Sequence, residues 1–136
     1  MSDLSLFFAD AAAAELTDEV VISTRFKDKD GQPVKWKLRA ITEEINAEIK
    51  KACTKKDKKG RVEFDNNEYL TKVAVEGTVF PSLKDAKLQQ SYGVLGADSL
   101  LKKMLLAGEF SLLAEKVSDL SGFNLSLQEQ VEEAKN

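Results

Sequence analysis

The stretch FPSLKDAKLQQSYGVLGADSLLKKMLLAGEF (residues 80–110) decides how the rest of the chain is read. Pro81 holds Phe80 in extended geometry and so ends a helix arriving from upstream. Ser82 is placed to cap a new helix, with Asp85 three residues on, where a carboxylate meets free backbone N–H groups. Leu88 and Tyr92 stand four apart on one face. Gly93 then reads as a left-handed terminator, with Val94 able to fold back on Leu88. Asp98 restarts a helix whose Leu100, Leu101, Met104 and Leu105 form one apolar stripe. Gly108 is expected to stop it and Phe110 to begin another. Helical periodicity is chiefly a burial signal, so Leu88, Tyr92, Leu101, Met104 and Phe110 read as core.

Downstream, Phe110, Leu113, Ala114, Val117 and Leu120 make the most regular helical stripe in the chain. Gly122 and Phe123 repeat the terminator pattern of Gly93 and Val94. The tail from Ser126 onward is polar and acidic, with Glu129, Glu132 and Glu133.

Upstream, the period changes. Val20, Ile22, Thr24 and Phe26 alternate with Val21, Ser23 and Arg25, as in a half-buried strand. Asp28-Lys29-Asp30-Gly31 supplies turn chemistry. The return strand places Val34, Trp36 and Leu38 on one face, which predicts a hairpin over about 20–38 with Trp36 buried. Asp28, Asp30 and Gly31 share the opening of a calcium loop, but the closing glutamate is missing. Thr42 caps the next helix, with Glu43 and Glu44 in its first turn and Ile41, Ile45, Ile49 and Ala52 on one face. Lys50, Lys51, Lys55, Lys56, Lys58, Lys59 and Arg61 follow, with Gly60 marking a flexible, solvated loop. Asn66 or Asn67 can cap a further helix whose inner face holds Leu70, Val73, Ala74 and Gly77. The glycine there lets a neighbour come close.

The fold class expected is therefore α+β: an N-terminal β-hairpin with a mainly helical domain of four or more short helices. Residues 1–18 read as a flexible apolar arm, 19–123 as a single domain, and 124–136 as a loosely attached acidic tail. In the arm, Leu4, Phe7, Phe8 and Ala11 recur at helical spacing. No basic region precedes Leu4, Leu6, Phe7 and Phe8, so they do not read as a secretory signal.

Composition bounds the function. With 136 residues, 43% hydrophobic and 32% charged, the chain suits one globular domain. Its net charge of −3 argues against a dedicated nucleic-acid binder. Histidine is absent, which removes Ser-His and Cys-His nucleophile pairs and histidine metal sites. Cys53 has no cysteine partner and suits a reducing compartment. No apolar run is long enough to span a bilayer. These residues give no catalytic set, no metal site and no cofactor motif. The competing class is a nucleic-acid-binding accessory protein using the basic loop 50–61, which lacks interleaved aromatics for base stacking.

The order FPxLxDAxLQxSYGVxGAxxLLxxMLxxGEF resembles the XkdN-like family of tail-assembly chaperones from Gram-positive phages and phage-like elements. The resemblance extends to Trp36, to Arg39-Ala40-Ile41-Thr42-Glu43-Glu44 and to Cys53-Thr54-Lys55-Lys56. It also covers Glu63-Phe64-Asp65 and Tyr69-Leu70. It implies a non-enzymatic protein that binds the tape-measure protein and keeps it soluble while tail-tube subunits polymerise. It implies action in the host cytoplasm and absence from the finished particle. Leu4, Phe7, Phe8, Leu125 and Leu127 are the partner-binding candidates, because the expected core does not require them. Self-association is a further expectation. The family also often makes a longer product by programmed ribosomal slippage. Ala134-Lys135-Asn136 permits the coding GCA AAA AAC, which contains a slippery run, so a longer form of the chain is a possible partner.

Overall fold

The computed structural model describes residues 3–9 and 15–123. A short 3-10 helix, Asp3–Phe7, precedes the strands β1 (Thr17–Val20) and β2 (Trp36–Arg39) and the helix α1 (Glu43–Ala52). A second strand pair follows, β3 (Thr54–Lys56) and β4 (Val62–Phe64), then α2 (Asn66–Glu76) and β5 (Thr78–Phe80). Three helices complete the order: α3 (Ala86–Ser91), α4 (Ala97–Met104) and α5 (Ala107–Leu120). The architecture is the expected α+β, with five α-helices among the described residues.

β1 and β2 pair antiparallel, with Thr17 opposite Arg39 and Val20 opposite Trp36. The hairpin is present, but its ladder is shorter than alternation predicts. Between the Val20–Trp36 pair and an isolated bridge joining Lys27 to Pro33, residues 21–26 face only residues 34–35. The outgoing arm cannot remain extended there. The Ser23 hydroxyl accepts from the Arg25 amide at 3.1 Å, and the consecutive Ile22 and Ser23 are both buried. The tip forms as expected: Asp28 Oδ1 accepts from the Asp30 and Gln32 amides, and Gly31 has φ 78°.

A third strand extends the sheet beyond the hairpin that the sequence predicts. β5 pairs with β2, giving the antiparallel order β1-β2-β5 and making β2 central. That position explains why Trp36 and Leu38 are almost wholly enclosed. Nor is the basic stretch a flexible loop. Thr54 pairs with Phe64 and Lys56 with Val62, and the tip copies the first hairpin. There, Asp57 Oδ1 accepts from the Lys59 and Arg61 amides, and Gly60 has φ 80°.

The helices close over one face of the larger sheet. Val73 and Ala74 of α2 join Leu100 and Leu101 of α4, Leu113 and Val117 of α5, and Trp36 and Leu38 in one core cluster. Each buried branched side chain contributes roughly 1.5–3 kcal/mol. Gly77 is the tightest point: an added Cβ would lie 2.3 Å from Val117 Cγ1. The Gly77 carbonyl also accepts from the Arg39 amide at 2.8 Å, tying α2 to β2. No buried side-chain polar atom among the described residues lacks a hydrogen-bond partner. Asn46, for example, donates to Glu43 and accepts from the Tyr69 hydroxyl at 2.6 Å.

Helix ends correct several local expectations. Asp85, not Ser82, caps α3 through a 2.9 Å bond from the Leu88 amide. Asp65, not Asn66 or Asn67, caps α2. In both places a charged acceptor next to the first turn is the stronger cap. Gly108 does not end a helix. α4 finishes at Met104, and Gly108 lies in the first turn of α5. Gly93 and Gly122 do terminate α3 and α5 in left-handed geometry, with φ 68° and 95°. At each, the following residue reaches back: the Val94 amide to Gln89 O, and the Phe123 amide to Ser118 O.

Candidate functional site: an apolar groove

The bulged hairpin, the end of β5 and the helices α3 and α4 leave an open cavity of about 220 Å³ between them. Trp36 and Met104, both nearly enclosed, form its floor. Phe26 and Val34 line the hairpin side, Leu88 and Tyr92 the α3 side, and Phe80 and Pro81 the remaining wall. The lining is almost entirely apolar. Phe80 stands on the rim at 52% exposure.

The hairpin wall is held by Arg25. Its guanidinium lies 5.0 Å from the centre of the Phe26 ring, and Nη2 donates to the Met104 carbonyl at 2.8 Å. Nε and Nη2 also bond both carboxylate oxygens of Glu109. Glu109 accepts from the Leu106 amide at 2.8 Å, so it ties down the first turn of α5. The Arg25 hydrogen bond holds the Glu109 carboxyl well below its usual value, at about 2, with the Ser23 hydroxyl and the Leu106 amide adding to it. The Arg25 pKa is raised, chiefly by the same bond. One ion pair thus joins the hairpin bulge to the α4–α5 junction and keeps Phe26 facing Met104. A second pair, Lys72 Nζ to Asp98 Oδ2 at 3.1 Å, joins α2 to α4.

The arrangement can hold apolar side chains. Among the described residues, no group of three or more acidic or sulfur-bearing side chains is placed to hold a metal ion. No described helix is long and apolar enough to cross a membrane. Cys53 is fully enclosed, and burial pushes its thiol pKa up. A raised pKa keeps the sulfur in its unreactive protonated form.

Leu4 and Phe7 lie on the 3-10 helix and Phe8 directly after it, exposed by 62%, 82% and 54%. None of them lines the groove. Leu125 and Leu127 fall outside the described residues, as does the Ala134-Lys135-Asn136 ending. The groove residues Phe26, Trp36, Phe80 and Tyr92 were not singled out as a site from the sequence. The available signal was the aromatic Phe80 in front of Pro81, which could not sit in a helix. In the second hairpin, Lys55 pairs with Glu68 at 3.8 Å and Arg61 with Asp57 at 3.4 Å, so part of the basic stretch is neutralised internally.

Fold and surface together define a small α+β protein with an open apolar groove. The chain belongs to the phage XkdN-like tail assembly chaperone family, which matches residues 4–135. It is 34% identical to the Bacillus subtilis (strain 168) protein YqbN, over 98% of this chain and 93% of that protein. It is 31% identical to the phage-like element PBSX protein XkdN of the same organism, over 98% and 94%. The crystal structure of YqbN matches with a TM-score of 0.79 at 30% identity, covering 91% of this chain and 99% of that one. The family points to a non-enzymatic role with phage tail proteins as partners.

Proposed function

We propose that the protein binds the tape-measure protein in the host cytoplasm and keeps it soluble while the tail tube assembles, without remaining in the finished particle. Membership of the tail assembly chaperone family over nearly the whole chain is the observation that carries this reading. The groove is consistent with it: apolar side chains of a long helical client need cover, and an open apolar cleft supplies that cover. The exposed Leu4, Phe7 and Phe8 offer a second apolar surface near the N-terminus.

Co-expression with the cognate tape-measure protein tests the reading. The client is expected in the soluble fraction with the intact chain, and less of it with Phe80→Asp or after removal of residues 1–8. An insoluble client alongside well-folded intact chain refutes the chaperone role. Unchanged solubility with both alterations would remove the groove and the arm as binding surfaces. The purified protein is expected to pass over mixed-sequence DNA at low salt unretained; tight, steeply salt-dependent retention would favour the basic hairpin as an interface.

A further inference from the structure

The groove and the N-terminal arm complement each other in both polarity and charge. Of the charged residues next in sequence to a groove-lining side chain, Lys35 and Lys37 flank Trp36 along the β2 direction and so point to the opposite face of the sheet. Arg25, Lys27, Lys87 and Lys103 belong to the hairpin and the helices that wall the groove. Arg25 is engaged by Glu109, and Lys27, Lys87 and Lys103 are exposed. The first 24 residues, by contrast, hold Asp3, Asp10, Glu15, Asp18 and Glu19 and neither lysine nor arginine. Within this acidic segment, Leu6, Phe7 and Phe8 are exposed by 69%, 82% and 54%.

We propose that the groove is the docking site for the N-terminal arm of a second copy of this chain, with Phe7 entering the cavity. Size permits it. A cavity of roughly 150 Å³ already accommodates a benzene ring, so about 220 Å³ admits one phenylalanine ring with space to spare. Phe7 does not line the groove of its own chain. Lys27, Lys87 and Lys103, exposed on the elements that wall the groove, attract the acidic segment and disfavour basic competitors, so charge sets the encounter and the ring sets the register. Because each copy carries both an arm and a groove, reciprocal exchange closes a two-fold dimer with no apolar arm left over. The arm then covers the groove until a client arrives, a role that rests on the chaperone reading; the association itself does not.

The test uses the purified chain without any client, so its failure leaves the chaperone reading untouched. Light scattering over rising concentration is expected to show a monomer–dimer equilibrium. Deleting residues 2–9, or combining Phe7→Ser with Phe8→Ser, is expected to abolish the dimer, as is Phe80→Asp at the groove rim. An equal mixture of the arm-deleted chain and the Phe80→Asp chain should recover a one-to-one dimer, because one supplies the groove and the other the arm. Trp36 is the chain's single tryptophan and sits in the groove floor. A synthetic peptide of residues 1–16 should therefore shift its emission saturably in the arm-deleted chain, and at least several-fold more weakly in high salt. Circular dichroism checks that each variant is folded. A full-length chain that stays monomeric at every concentration overturns the proposal, as does a dimer that survives the Phe7 and Phe8 substitutions. A monomer whose Trp36 emission changes on arm deletion also overturns it, by placing the arm in its own groove.

Discussion

Replacing Gly77 with alanine drives a methyl group into Val117. The new Cβ would lie 2.3, 2.6 and 3.0 Å from Cγ1, Cγ2 and Cβ of a side chain with no exposed surface. The backbone cannot easily retreat, because the Gly77 carbonyl is bonded to the Arg39 amide in the central strand. Overpacking of this kind costs about 1–3 kcal/mol. Gly77 has φ −84°, a conformation open to alanine. The stiffer unfolded chain returns about 0.4–1 kcal/mol; with contacts of 2.3 and 2.6 Å placing the clash at about 2–3 kcal/mol, the net loss is about 1–2.6 kcal/mol. Val117→Ala alone removes two methyl groups, about 1.6 kcal/mol by transfer before any cavity term. The double variant should be more stable than the sum of the two losses predicts, by about 0.5 kcal/mol or more, since the second change removes the atoms struck by the first. Urea unfolding with an unchanged slope is the assay. A Gly77→Ala protein as stable as the parent, or strict additivity in the double variant, would refute the packing argument.

Trp36→Ala should cost about 3–5 kcal/mol, since the indole is only 2% exposed; a loss under 1 kcal/mol would contradict its burial. The Glu109 carboxyl, lowered to about 2 from an ordinary 4.5, contributes stability that is present above about pH 4.5 and lost as pH falls toward 2. Glu109→Gln should flatten that acid limb, and an unchanged limb would show that the Arg25 pair does not form in solution. Cys53, buried and with a raised pKa, should resist alkylation in the native protein and react at the rate of unfolding; fast labelling of folded protein would argue against its enclosure.

Much of the helical half was legible because its signals are local. The stripe from Phe110 to Leu120 and the terminators Gly93 and Gly122 depend only on near neighbours, and the structure realises them. Gly77 was legible for the same reason: a glycine on an otherwise apolar helix face asks for close approach. The second hairpin was missed although its tip, Asp57-Lys58-Lys59-Gly60, has the spacing of Asp28-Lys29-Asp30-Gly31. Its flanking strands are three residues long and exposed at every position, so they carry no burial alternation. β5 escaped notice on similar grounds, since three residues cannot show a period. Alternation alone predicts a strand through Ile22 and Phe26. The Arg25–Glu109 pair across the fold, which spacing cannot report, instead accompanies a bulge there. The groove is hidden for that reason too: its walls come from four separate elements.

That non-local construction sets an order in time. Arg25 reaches partners 79 and 84 residues away in sequence, and the groove has no floor until Met104 is in place. During translation the arm emerges before the hairpin, and the stretch from Phe26 to Met104 requires roughly 4–16 s of further synthesis. An unfinished chain on the ribosome therefore carries the acidic apolar arm before it has a groove. The groove itself exists only once the α4–α5 junction is complete, so only a folded chain can offer it.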